Sequence, residues 1–431
     1  MKKLLFFAVM LGIVSCGKTE TKELLVEIMN PVSIDRPDEA IVLTRAQLNP
    51  ENDKLVPAVF DTVTGSYVAS QLDDLDGDGI WDELAFVTNL EPNGTSVLKI
   101  VWIDPADYPQ FPVRTNIRYG RKLSKDSPIV ELDSDVIYKD LQQTIKDLGY
   151  YPFQMDGMAW ENDKGGFRHY FDGRNNRDYF GKRVTYMVLD SVGIQANGFP
   201  GDTYHVWAHW GRDIMSVGSS FGLGGLGAWI DGERFGRLGR LASEFNDNID
   251  STKYTLITEG PVRSMFALDF YGWEIEDKKI DSLRQVVTIW AGKHNYENKV
   301  IAYADLPAGV ELITGIARIF NDMPLETLKF SNNTIMATHD HQSYDKEFIM
   351  GIGLIIPNKY VTNLFDTPDR GADLTKTWCA EIRLDNNREA EFYAYAAWEH
   401  QDTQFQNRGY FLEFMKTEGS RWDNPVKVTL K

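Results

Sequence analysis

Short runs of apolar residues alternate with polar ones along most of the chain, at the period of two that a strand with one buried face requires. The runs 24–29, 40–44, 67–72, 84–87 and 97–103 are rich in β-branched or aromatic residues and are separated by turn residues. A second series follows at 184–189, 204–210, 264–271, 285–290, 299–303, 348–356 and 391–398. Many are long, which suits large antiparallel sheets with one wet face. Only 139–148 carries strong helical spacing, with Leu141, Ile145 and Leu148 on one side. The stretch 104–112, punctuated by Pro105, Pro109 and Pro112, reads as a linker. The pattern predicts an all-β protein with few helices, an N-terminal β-sandwich module over 24–110 and a larger β domain over 111–431. No internal repeat or low-complexity segment is evident.

The first residues have a different character. Lys2 and Lys3 precede an apolar core at 4–14, and Ile13-Val14-Ser15-Cys16 resembles a bacterial lipobox. Eleven apolar residues are too few to span a bilayer as a helix. Residues 1–15 therefore read as a lipoprotein signal peptide, Cys16 as the lipidated first residue and 16–23 as a polar tether. The rival reading is a cytosolic protein with a chance apolar start. Export as a lipoprotein predicts an outer-membrane location facing the periplasm or the cell surface. It leaves Cys379 as the one cysteine of the mature chain, which excludes an internal disulfide and a cysteine-based metal site.

The formal net charge is −18, and loss of Lys2 and Lys3 with the signal makes it −20. That argues against nucleic acid as a partner. An acidic substrate would need a local group of arginines to overcome the global field. Eleven tryptophans and nineteen tyrosines suit a carbohydrate-facing protein without proving one.

Such a group exists. Of seven histidines, three fall between 169 and 209, in Arg168-His169-Tyr170 and in 204–213, which holds His205, Trp207, His209, Trp210, Arg212 and Asp213. Arginine holds a carboxylate in a bidentate fork, and histidine and tyrosine move protons near neutral pH. The competing view is that these are buried polar residues and surface aromatics of a large β-protein. In a strand, His205 and His209 share a face with Trp207, and His339 shares one with His341; such pairs can hold a divalent metal. Neither pair sits in a zinc signature, so proton transfer by a histidine is the preferred reading. The glycines of 222–227 lack the Gly-Lys-Ser/Thr ending of a phosphate loop, which excludes a nucleotide cofactor and suggests close backbone approach instead. There is no Gly-x-Ser-x-Gly elbow.

The sharpest local pattern is 74–83, DLDGDGIWDE. Asp74, Asp76, Asp78 and Asp82 occupy positions 1, 3, 5 and 9 of a calcium loop, Gly79 supplies the turn and the Ile80 carbonyl the position-7 ligand. Position 12 is Ala85, for which Glu83 is the substitute. The expectation is a structural calcium ion; the alternative is an acidic turn without metal.

The lipobox, DDLDGDGIWDELAF, WENDKGGFRHYFDG, YHVWAHWGRD and EGPVRSMFALDFYGW together resemble a family of exported Bacteroidota proteins found beside polysaccharide-degrading enzymes, one member of which is the ulvan oligosaccharide dehydratase. The resemblance covers nearly the whole mature chain. The strand motif at 260–266 with 271–273 is also similar to the sugar-facing sheets of galactose-mutarotase-like supersandwiches, which implies that architecture for 111–431. What the family resemblance implies is a hydro-lyase acting on a non-reducing-end glucuronic or iduronic acid. It would remove the C5 proton and the 4-hydroxyl to give a 4,5-unsaturated uronate. Such a reaction needs a charge holder, a base and an acid. Arg168 and Arg263 are the candidates for the carboxylate, and Trp207 and Trp210 for the sugar faces. His209 is the first candidate for the base, with His205 its rival; Tyr170 is the acid and Asp213 orients a histidine. These roles permute without contradicting the sequence, and His339, His341 and Tyr344 are the reserve set. The alternatives are a polysaccharide lyase acting on uronates and a non-catalytic glycan-binding lipoprotein.

Overall fold

The computed structural model describes residues 24–139, 141–239 and 248–431. Cys16 and the segment before it lie outside the described residues. Five antiparallel sheets account for about half of the described chain, and no described helix is long and apolar enough to cross a membrane.

Two sheets form the N-terminal sandwich. One orders Lys427–Leu430, Leu24–Met29, Thr95–Ile103, Val56–Asp61 and Ser66–Tyr67; the other orders Arg36–Thr44, Glu83–Leu90 and Ser70–Asp73. Alternate residues of each (Val26, Ile28, Ile100; Ile41, Leu84, Phe86) meet in one apolar cluster. The expected strand at 67–72 is therefore two short strands in different sheets. Residues 427–430 differ from the sequence reading in membership. They return from the far end of the chain to pair with Leu24–Met29, so the module is closed by both ends of the chain.

The larger part is a supersandwich, as expected. A nine-stranded sheet, from Ser134–Tyr138 at one edge to Glu326–Lys329 at the other, packs against a six-stranded and a five-stranded sheet. Inward residues from all three, such as Trp160, Phe167, Phe266, Leu312 and Phe392, form the main core. Each fully buried side chain of this size contributes about 1.5–3 kcal/mol. The glycine-rich run enters the five-stranded sheet as Leu223–Ile230. Gly222, at φ +75°, lies where an added Cβ would meet the Arg177 carbonyl oxygen at 1.7 Å, which is the close backbone approach the sequence suggests.

Two elements depart from the pattern. The helix Arg408–Asp423 was invisible because apolar and charged residues interleave around it and it carries Gly409 and Gly419. Its Phe411 and Met415 cover Tyr395 and Ala397 on the outer face of the nine-stranded sheet. Gly419 permits that packing, since a Cβ there would meet Ile335 at 2.7 Å. The helix at Leu141–Leu148 buries Leu141 as expected, whereas Leu148 stays exposed.

The second departure positions the site. Neither 184–189 nor 204–210 is a strand. The whole segment 183–210 is irregular and lies over the outer face of the six-stranded sheet, where Val188, Leu189, Val192, Tyr204 and Trp210 pack on Met155, Ala159 and Phe180. Its backbone is satisfied by local turns and by side chains in place of a ladder: the amides of Val188 and Leu189 donate to Glu161 Oε1 at 2.6 and 2.7 Å, while Lys182 neutralises Glu161. Turn residues such as Asn197, Gly198 and Pro200 prevent the alternating apolar positions from pairing as strands.

Candidate functional site

Strand alternation assembles the site on that outer face. In Gly166–Tyr170, Phe167 and His169 turn toward the core while Arg168 and Tyr170 turn outward. Asp178 is directly across from Arg168 on Arg177–Lys182, and Asp213 is across from Phe180, two residues on. The register thus brings Arg168, Tyr170, Asp178 and Asp213 to one place. A bulge between Phe153 and Met158, with Met155 and Asp156 at φ +51° and +60°, adds Asp156. Such left-handed residues cost on the order of 1–3 kcal/mol each and persist where packing imposes them.

Arg168 is fully buried. Its Nε donates to Asp178 Oδ1 at 3.1 Å, its Nη2 to Asp213 Oδ2 at 2.7 Å and to the Tyr170 hydroxyl, and its Nη1 lies 3.9 Å from Asp156. One guanidinium therefore faces three carboxylates. Burial, opposed by Arg168 and reinforced by Asp178, pushes Asp213 up to about 7. The Tyr170 hydroxyl donates to Asp178 Oδ2 at 2.8 Å, and burial holds its proton well above the ordinary range.

Above this floor opens a cavity of ≈ 400 Å³, lined by Tyr170, Arg174, His205, Arg212, Asp213 and Tyr344 among others. His205 Nδ1 lies 3.7 Å from Asp213 Oδ2, which is ion-pair range rather than a hydrogen bond. Partial burial and the Arg168 charge lower its pKa, so the ring is neutral at pH 7. Arg174 stacks its guanidinium 4.0 Å from the Tyr170 ring centroid and pairs with Asp172. Arg212 binds Glu347 at 2.6 Å and keeps a buried Nε without a partner. The Tyr344 amide donates to the Ile214 carbonyl, tying that wall to the end of Gly211–Asp213. A neutral imidazole, a carboxyl poised near neutrality, phenols and two cations share one small polar space. That set can take up a proton, return one and hold an anion.

Several expected assignments change. Arg168 holds the floor together, and its donors are already engaged by the chain's own acids, so it is not a free fork for a substrate carboxylate. Arg263 is elsewhere: it reaches into the N-terminal module, its Nε 2.9 Å from Asp73 Oδ2 and its Nη2 2.7 Å from Glu83. His209 lies on the exposed surface of the 183–210 segment, its ring against Tyr186, and does not line the cavity. Trp207 packs on Phe348, Trp398 and His400, and Trp210 is buried beside Phe180, so neither offers a face to this cavity. His169 is a core residue, its Nε2 3.0 Å from Asn175 Oδ1. Sequence reasoning missed Arg174 and Arg212. The signal for Arg212 was its place inside the segment that also holds His205 and Asp213.

The histidine pairs do not converge. His339 is buried, with Nε2 2.6 Å from the Phe405 carbonyl oxygen, and His341 is exposed beyond the strand. Among the described residues, one group of three acidic, histidine or cysteine side chains has ligand atoms within 4.8 Å of one another: Asp74, Asp76 and Asp78. Gly77 and Gly79, at φ +79° and +86°, fold the loop so that both their amides donate to Asp74. Asp82 and Glu83, two further expected calcium ligands, have partners of their own. Asp82 accepts the Leu75 amide at 2.7 Å, and Glu83, the substitute for position 12, is held by Arg263. Three carboxylates fit a hard divalent cation; the ninth and twelfth positions do not complete the loop in the usual way.

The solved structures to which the chain is similar include an alpha-mannosidase from Enterococcus faecalis V583 (TM-score 0.43, 9% identity, 95% of this chain and 46% of that one). Another is a protein in the glycosyl hydrolase family 38 from Enterococcus faecalis (TM-score 0.40, 8% identity, 96% of this chain and 48% of that one). The chain spans about half the length of these structures. Uncharacterized protein P7 of Formosa agariphila is 22% identical over 441 residues, covering 97% of this chain and 96% of its own. Residues 28–428 match the family model described as Domain of unknown function (DUF4861), and the chain belongs to that family.

Proposed function

We propose that the protein is a carbohydrate-active enzyme that removes water from a terminal uronic acid of an oligosaccharide. The observation that supports this reading most is the placing of His205 beside Asp213, over the buried Arg168, in a cavity walled by Arg174 and Arg212. Loss of a proton α to a carboxylate builds a second negative charge on that group. Arg212 and Arg174 are the cations at the cavity wall to hold it. Neutral His205 accepts the C5 proton, and the C4–O bond breaks as the C4=C5 bond forms. Tyr170 gives its proton to the departing hydroxide, which leaves as water. The cationic Arg168 beside that phenol favours the phenolate left behind, against the opposing charge of Asp178, and Asp178 fixes the orientation of the hydroxyl. The proton taken up by His205 later returns the phenol to its starting state. The sugar class follows from this chemistry and from the family resemblance of the sequence motifs, which adds ulvan-type oligosaccharides as the substrate to try first. In the same reading the chain is exported and held to the outer membrane through lipidated Cys16, and the 74–82 loop carries a structural calcium ion.

The test is incubation of the pure protein with a saturated, glucuronate-terminated oligosaccharide. Mass spectrometry should show loss of one water from the intact chain, with new ultraviolet absorbance from the conjugated double bond. Cleavage into shorter unsaturated products would assign a lyase instead. Saturable binding without turnover would assign a glycan-binding protein.

A further inference from the structure

A second cavity of ≈ 400 Å³ lies on the outer face of the nine-stranded sheet, where that face meets the N-terminal module and the helix Arg408–Asp423. It shares no lining residue with the histidine-bearing pocket. Its floor comes from two adjacent strands, Asn295–Ala302 and Glu389–Trp398. Tyr296, Val300, Phe392 and Ala394 of these strands point into the core, so Glu297, Lys299, Glu391 and Tyr393 point to the cavity.

Four cations and four carboxylates line it, and their formal charges cancel. The rim is internally paired: Arg36 with Glu39 at 2.9 Å, Arg421 with Glu418, and Lys299 with Glu389 outside the cavity at 2.7 Å. Glu297 and Glu391 are different. Neither makes a hydrogen bond or ion pair with any described residue, and neither is among the residues with interactions left unprinted. The register sets Glu297 opposite Tyr393 and Glu391 opposite Lys299, so the two carboxylates form a diagonal pair, about 7–8 Å apart at the backbone. Burial, reinforced by Glu391, raises Glu297 to about 7. Two carboxylates beside each other without a hydrogen-bond partner cost stability, which the more distant charges of Arg263 and Lys293 offset only in part at Glu297. Apolar surface stands next to them, in Trp290 and in the stacked pair Tyr393–Trp422 with centroids 3.6 Å apart.

We infer that this cleft is a second saccharide site, taking one or two units of a neutral sugar whose hydroxyls donate to Glu297 and Glu391 while a ring face rests on the aromatic wall. A balanced lining disfavours multiply charged ligands of either sign. Acceptor carboxylates, the Asn295 amide and apolar ring surface are what a polyhydroxylated neutral ring uses. The inference does not depend on the reaction proposed for the other pocket.

The test is a titration of the intact protein with cellobiose, lactose and maltose, alongside glucosamine and galacturonate, followed by tryptophan fluorescence and saturation-transfer NMR. At least one neutral disaccharide should bind saturably. Measured at about pH 8, where Glu297 is mostly ionised, Glu297→Gln and Glu391→Gln, which keep side-chain shape, should each weaken that binding about tenfold, because a charged acceptor is replaced by a neutral one. His205→Ala should bind the disaccharide as the unaltered protein does. Saturation by glucosamine alone or galacturonate alone would overturn the inference. So would the absence of saturable binding by all three disaccharides, or wild-type affinity in both glutamine variants.

Discussion

Arg168 and Arg263 are two buried strand arginines, each gripped by a pair of carboxylates, and they sit in unlike surroundings. Around Arg263 everything is spoken for. Asp73 also accepts from Thr258 at 2.6 Å, and Gln71 accepts the amides of Val262 and Arg263 at 3.0 and 2.9 Å. Asp73 and Glu83 are the two residues flanking the acidic loop, so the cluster fixes the N-terminal module to the large sheet. Around Arg168 the charges do not balance: a third carboxylate, a phenol and an exposed imidazole border open space. A buried ion pair with every atom satisfied is a clamp. One with surplus acid beside a cavity is a poised proton store.

The contrast makes predictions. The largest effect is expected at Arg168→Ala, which leaves Asp178 and Asp213 buried without their cation. Denaturant unfolding should show a loss of about 3–5 kcal/mol, and the folded fraction should have no measurable turnover. Arg263→Ala should cost a similar about 3–5 kcal/mol through Asp73, while the molecules that remain folded keep near-normal turnover. Equal loss of turnover per folded molecule in both variants would erase the distinction. Tyr170→Phe is expected to lower kcat about 10²–10⁴-fold with little change in KM, and Tyr344→Phe far less; the reverse ranking would move the acid to the opposite wall.

Smaller effects refine the picture. Asp213 is held at about 7 in the folded chain against 3.8 in the unfolded one, so the folded state binds more protons between those values. Stability from this group must therefore fall as pH rises through that window. Asp213→Asn should flatten the decline, seen by comparing urea midpoints at about pH 5 and about pH 8. The smallest effect belongs to the acidic loop. Chelation should lower Tm by a few degrees, and Asp76→Ala should abolish the response, because a ligand bound only to the native state stabilises it by mass action. Indifference to both chelator and added calcium would leave the loop a turn held by its own amides.

Much of the fold was legible because period-two patterning reports one-sided burial, and strands such as Leu24–Met29 and Asn295–Ala302 bury alternate residues. The failures share a cause. Tyr204, His205 and Trp207 alternate as a strand would, yet they belong to an irregular segment whose amides are satisfied by Glu161 and local turns. That also explains why the two histidines were not told apart: in a strand His205 and His209 share a face, whereas in this segment only His205 reaches Asp213. Arg263 was grouped with Arg168 by residue type, and no local pattern reveals that its partners lie about 190 residues earlier, at Asp73. Residues 427–430 were misplaced for the same reason, since pairing with 24–29 is a long-range event.

The most direct test of the central claim compares His205→Ala with His209→Ala on the same glucuronate-terminated oligosaccharide, each variant first shown to be folded. The pocket geometry predicts that His205→Ala lowers kcat at least about a hundredfold while His209→Ala stays within about twofold of the unaltered protein. Loss of turnover in His209→Ala with His205→Ala fully active would contradict it.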